Sequence, residues 1–185
     1  MSTVLPAFAW HLDAELRDVP DDSQAFAREV DRLVDGIATA RSQPAKLLAM
    51  LTEATPLLRI AGRFEEARRT ASAAIALAEL LEDEGASFAA QLGLAQVMQR
   101  EGRYDISTPL FDQLVAQARS MPQHADRLHD ALFEAGRNLF DQHLHAQAAR
   151  CFRESQALRR ALGREDLLEA CAEAMRRSAE GARSR

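Results

Sequence analysis

The sequence predicts an all-α protein, a stack of antiparallel helix hairpins, and three observations predict it. A short phrase returns at a nearly fixed interval: Gly62-Arg63-Phe64-Glu65-Glu66-Ala67, then Gly102-Arg103-Tyr104-Asp105-Ile106-Ser107, then a degraded His143-Leu144-His145-Ala146-Gln147-Ala148. A period near forty residues marks one helical hairpin copied and stacked, because a single hairpin cannot bury its own apolar face. The composition is 47% hydrophobic but only 5% aromatic, with long runs of Ala, Leu, Arg, Glu and Gln that lose little rotamer freedom in a helix, while β-branched clusters are scarce. At 185 residues, one domain can bury most of its apolar surface without a disulfide or a metal.

The first element expected is a helix from Leu5 to Arg17, with Leu5, Phe8, Leu12 and Leu16 at helical spacing, stopped near Val19-Pro20-Asp21-Asp22. An Asp there can cap a second helix, Ser23 to Arg41, whose stripe is Phe26, Val30, Leu33, Val34 and Ile37 and which Gln43-Pro44 ends. Three hairpins follow. Helix Ala45–Ala61 turns at Gly62 into Phe64–Leu81, and Ser87–Arg100 turns at Gly102 into Tyr104–Ser120. Helix His124–Asp141 then gives way to His145–Leu162, with Gly163 closing the set, and breaks are expected at Asp83-Glu84-Gly85 and Met121-Pro122. Pro56 sits mid-helix, where proline costs about 3 kcal/mol, so the first of these helices is expected to bend or its hairpin to be irregular. A final helix from Arg164 to about Ala179 sets Leu167, Leu168, Cys171 and Met175 on one face and covers the end of the stack, before a frayed Gly181–Arg185 tail.

The residues of the three hairpins resemble the tetratricopeptide repeat. The small position of helix A is Thr55, Ala95 and Gly136; the turn carries Gly62 with Phe64, Gly102 with Tyr104, and His143 with His145; helix B carries Ala67 with Ala71, Ser107 with Phe111, and Ala148 with Phe152. The resemblance covers roughly residues 44–163. It departs from the family where the turns stand 40 and 41 residues apart (Gly62 to Gly102, Gly102 to His143) instead of about 34, where the helix A Trp is missing, and where no Pro closes each repeat in register. It is similar to long-helix variants of the family. What it implies is a right-handed α-solenoid in one domain spanning residues 1–185, with an N-terminal hairpin at 1–43, three repeats at 44–163 and a capping helix at 164–181.

The resemblance also implies a binding surface, since A helices line the concave groove of such proteins. Transferring the inner positions gives Thr52, Pro56 and Arg59, then Leu92, Gln96 and Gln99, then Phe133, Arg137 and Phe140. Arg59 and Arg137 can hold a carboxylate through forked hydrogen bonds, the glutamines can read backbone amides and the phenylalanines supply apolar contact. An extended, acidic or C-terminal peptide suits such a groove.

Charge and motifs narrow the class. A formal net charge of −5, with Lys46 the only lysine and the arginines dispersed, lacks the basic stripe of a nucleic-acid binder. The Arg and Ala bias is that of a GC-rich bacterial genome. Cys151 and Cys171 lie inside helical patterns and read as reduced thiols, and neither a signal peptide nor an apolar run of about 20 residues is expected, so the protein is placed in the cytoplasm. No catalytic signature is recognisable, and the acidic clusters Glu65-Glu66, Glu82-Asp83-Glu84 and Glu165-Asp166 fall at helix ends, where they face the dipole. No cofactor and no metal are expected. The sequence thus points to a non-catalytic adaptor or regulatory scaffold that binds a protein or peptide, as monomer or homodimer. Two alternatives stand beside it: a self-associating structural protein, motivated by Phe8 and Trp10 as interface anchors, and a helical metal protein using His143 and His145 near Asp141.

Overall fold

The computed structural model describes residues 10–183. It is all-helical apart from one small hairpin, with eight α-helices among the described residues, each in contact with its neighbours in sequence inside two compact units, Met1–Glu101 and Gly102–Arg185.

The first unit begins with an antiparallel β-hairpin, β1 (Trp10–Leu12) paired to β2 (Asp18–Pro20) with Trp10 opposite Pro20 and Leu12 opposite Asp18. This corrects the helix expected over Leu5–Arg17, whose start, with Phe8, lies outside the described residues. The physical reason is local: the Asp13 carboxylate accepts from the backbone N–H groups of Glu15 (2.9 Å) and Arg17 (2.8 Å), a side-chain turn that competes with helix. Leu16 takes a left-handed conformation (φ 58°) that no helix contains.

Helix α1 (Ser23–Thr39) starts where Asp22 accepts from the N–H groups of Gln24 and Ala25 at 3.1 and 2.8 Å, and it buries Phe26, Val30 and Leu33. Helix α2 (Pro44–Ile60) starts with Pro44, whose missing N–H costs nothing at a first helical position, and runs unbroken through Pro56. Helices α3 (Phe64–Leu80) and α4 (Glu84–Arg100) follow, with α3 packed on α2 and α4, and α4 also on α2. Phe26, Val30, Leu33, Leu57, Leu58 and Val97 form one core cluster, and Leu48, Leu51, Ala74, Ala78 and Ala90 another. The buried face of α3 is alanine throughout, Ala67, Ala71, Ala74 and Ala78 each at 0% exposure. The break expected at Asp83-Glu84-Gly85 is shifted: Asp83 is the N-cap, accepting from Ala86 N–H at 2.8 Å, and Glu84 and Gly85 are already helical.

The second unit comprises α5 (Tyr104–Ser120), a 3-10 turn over Pro122–Arg127, α6 (Leu128–Asp141), α7 (His145–Ala161) and α8 (Leu168–Arg183), packed α5 on α6, α6 on α7 and α7 on α8. Phe111, Leu114, Leu132 and Phe152 are buried in it. The tail expected to fray from Gly181 is helical as far as Arg183, and its last two residues lie outside the described residues. Gly181 lies so close to His145 that an added Cβ would sit 2.6 Å from its ring.

The recurring phrase has a backbone meaning. Gly62, Gly102 and His143 all have positive φ (74°, 72° and 61°), the left-handed residue that ends a helix and turns the chain back. At Gly62 the Arg63 N–H reaches the Leu58 carbonyl at 2.9 Å, and at His143 the Leu144 N–H reaches Leu139 at 2.9 Å, one and the same helix-ending motif. Glu82 and Gly163 (φ 54° and 68°) repeat it after α3 and α7.

Candidate functional site

On α2, Thr52 is half-buried and its hydroxyl donates back to the Leu48 carbonyl at 2.9 Å, while Thr55 does the same to Leu51 at 3.0 Å. Arg59, in the last turn, is only 6% exposed, and its Nη2 donates to Asp18 Oδ2 of strand β2 at 3.0 Å. Its Nε–H is buried with no acceptor. On α4, Leu92 and Gln96 are half-buried and Gln99 is buried at 5% exposure. Thr55 abuts Gly93, where an added Cβ would stand 2.9 Å from the threonine methyl. The small residues at these positions let the backbones of α2 and α4 approach.

In the second unit the expected groove positions are occupied inwardly. Phe133 is 6% exposed, tilted against Phe152 with centroids 5.4 Å apart and with the Arg159 guanidinium 4.4 Å above its ring. Arg137 is 5% exposed and paired along its own helix with Glu134 at 3.3 Å. Phe140 is half-buried, edge-on to His145 at 5.0 Å. Gly136 brings α6 against α7, since an added Cβ would lie 2.6 Å from the Phe152 ring. His143 and His145 stand with ring centroids 5.9 Å apart, and among the described residues no group of three or more His, Cys, Asp or Glu side chains is assembled as a metal site.

Two polar clusters escaped the sequence reading. Ser107 replaces the alanine found at 67 and 148, and its buried hydroxyl donates to Asn138 Oδ1 at 2.6 Å, while Asn138 Nδ2 donates to Thr108 at 2.9 Å. A hydroxyl at a fully buried repeat position requires a partner, which was the available signal. The second cluster centres on Arg159, 3% exposed, which donates to the Leu167 carbonyl (3.1 Å), to Asp130 (3.2 Å) and to Cys171 Sγ (3.1 Å), with His129 Nδ1 2.9 Å from the same Asp130 oxygen. Burial pushes the Asp130 carboxyl up, but the hydrogen bond from His129 and the charges of His129 and Arg159 outweigh it and hold the group below the usual Asp range.

A cleft of about 300 Å³ opens over α6 between α5 and α7, lined by Val115, Leu132, Leu139 and Cys151 and bridged at its rim by Arg119 and Glu154, at 2.6 and 2.8 Å. Burial, then the Glu154 charge, raises the Cys151 thiol, so it is no activated nucleophile. No helix of the described residues is long and apolar enough to cross a membrane. No protein-family model matches the chain, and no curated protein shows significant similarity to it.

Proposed function

We propose that the protein is a non-catalytic scaffold of tetratricopeptide-like hairpins, a small adaptor or regulatory module that captures a protein or peptide partner on the faces of its first-of-pair helices. What supports the reading is the pairing of α2 with α4: two helices in contact, carrying corresponding side chains forty residues apart, Thr52 with Leu92 and Arg59 with Gln99. Repetition of a recognition position along stacked helices is how a repeat array reads an extended partner. Arg59 supplies a guanidinium for an acidic group, Leu92 an apolar contact, and Gln96 and Gln99 amides for a peptide backbone. Arg137, Phe133 and Phe140 belong to the same set by position, but their contacts within the second unit give them a packing role as well.

Leu92→Glu with Gln96→Glu tests it, because both side chains are half-buried and the pair leaves Arg59 in place. Partner capture from native lysate, compared between wild-type and double-variant baits of equal helicity by circular dichroism, should fall at least tenfold. Undiminished capture of the same partner would move the binding surface off α4.

A further inference from the structure

Arg59 is a charge buried at 6% exposure, and a lone buried guanidinium is prohibitively expensive, so something must neutralise it. Asp18 does so from a segment forty-one residues away in the chain, on the edge of a two-stranded hairpin. The match is incomplete. A planar guanidinium offers a fork that a carboxylate can accept with both oxygens, yet Arg59 donates to Asp18 through Nη2 and its buried Nε–H has no acceptor. The hairpin that delivers Asp18 is itself strained: Leu16, a bulky residue, sits at φ 58°, while its side chain is 1% exposed. A bulky residue held left-handed persists only where the surroundings over-determine it, and here the burial of its own side chain is that constraint. Two strands alone are marginal in water, so this hairpin depends on such anchors to stay down.

Taking these together, we infer that the Trp10–Pro20 hairpin is a strap that masks a carboxylate subsite at Arg59, with Asp18 as the stand-in for an acidic side chain or C-terminus of the partner and Leu16 as the latch. The inference rests on the peptide-binding reading above and deepens it, because it names the chemistry at one position and gives the scaffold a closed state. A partner carboxylate that meets Nε–H and Nη2 together also supplies the acceptor that the Arg59 Nε–H lacks. Displacing Asp18 also lets Leu16 leave its left-handed conformation. Capture would then be reported by an opened N-terminal segment.

The test uses the full chain as wild type, Asp18→Asn and Leu16→Gly. Asparagine keeps the shape but loses the charge; glycine accepts the left-handed backbone but removes the anchor. Arg59 is followed by its rate of modification by p-hydroxyphenylglyoxal, read by peptide mass and scaled to Arg69, whose side chain is 75% exposed. Wild-type Arg59 should react at least a hundredfold more slowly than Arg69, and in both variants at least tenfold faster than in wild type, with helicity unchanged. Acetyl-hexaglutamate should bind the variants at least tenfold more tightly than wild type, acetyl-hexaglutamine should not, and adding Arg59→Gln to Asp18→Asn should abolish the gain. Continued protection of Arg59 in both folded variants would overturn the strap. An Arg59 that opens without any preference for hexaglutamate would overturn the carboxylate assignment. Either failure is separable from that of the scaffold reading, which the α4 double variant decides with the strap intact.

Discussion

Arg159 and Asp130 show how a buried charge is made tolerable one neighbour at a time. The guanidinium is enclosed, with the Leu167 carbonyl, the Cys171 sulfur and the Phe133 ring on its other sides, and Asp130 supplies its negative charge at 3.2 Å. Because the Asp130 side chain is 49% exposed, water shares in screening the pair, and Asp130→Asn should cost about 1–2 kcal/mol instead of the larger loss expected for a fully enclosed pair. Urea unfolding at neutral pH would measure it. The folded carboxyl titrates below its ordinary value, so its contribution is present above the usual Asp range and is lost as the pH falls through the folded value. The gap between wild type and variant should therefore close in acid, and a gap that widens there would contradict this account. Single residues were also where the sequence was least readable. Nothing in the pattern around Arg59 announced that its counter-ion would be Asp18, because side-chain pairing across forty-one residues leaves no periodic trace.

At the scale of elements the sequence was largely legible, and the reasons are local. Asp22 marks a helix start because its carboxylate caps the free N–H groups of the first turn, while Pro44, read from the sequence as the end of the preceding helix, is the first residue of α2, where its missing N–H costs nothing. His143 aligned with Gly62 and Gly102 on position alone, and its φ of 61° shows that the backbone there is the same with or without a glycine. The hairpin at the N-terminus was misread because Leu12 and Leu16 are four residues apart, which fits a helix, while the decisive Asp13 turn is made by one carboxylate that a hydrophobic pattern does not register. Gly136 was correctly taken as a position of close approach, and the consequence is testable. Gly136→Ala puts a methyl 2.6 Å from the ring of Phe152, itself 0% exposed, so either α6 or the ring must shift. Overpacking of this kind costs about 1–3 kcal/mol, read as a lower thermal midpoint with unchanged helicity. A neutral or stabilising substitution would mean that α7 yields freely.

For the molecule as a whole, the surface is dense in ion pairs but draws little stability from them. Arg69 with Glu65, Arg176 with Glu180 and Arg119 with Glu154 are all substantially exposed, and pairs of this kind contribute about 0–1 kcal/mol each. Where two cations converge on one anion, as Arg176 and Arg177 do on Glu173, the carboxyl is lowered to about 2, yet it remains a surface group open to screening. Raising NaCl to 1 M should accordingly change the unfolding free energy by no more than about 1 kcal/mol, since the net charge of −5 is also screened. A loss of several kcal/mol in denaturant titrations at high salt would show that these pairs act as a coupled network.

The alanine face of α3 sets a tolerance of another kind. With four side chains of a single methyl each enclosed between α2 and α4, the helix is a clearance fit: shaving it down is nearly impossible, and thickening it anywhere must wedge its neighbours apart. Random mutagenesis would therefore find α3 brittle in one direction, intolerant of every enlargement along the 67–78 seam while its outward positions accept change freely.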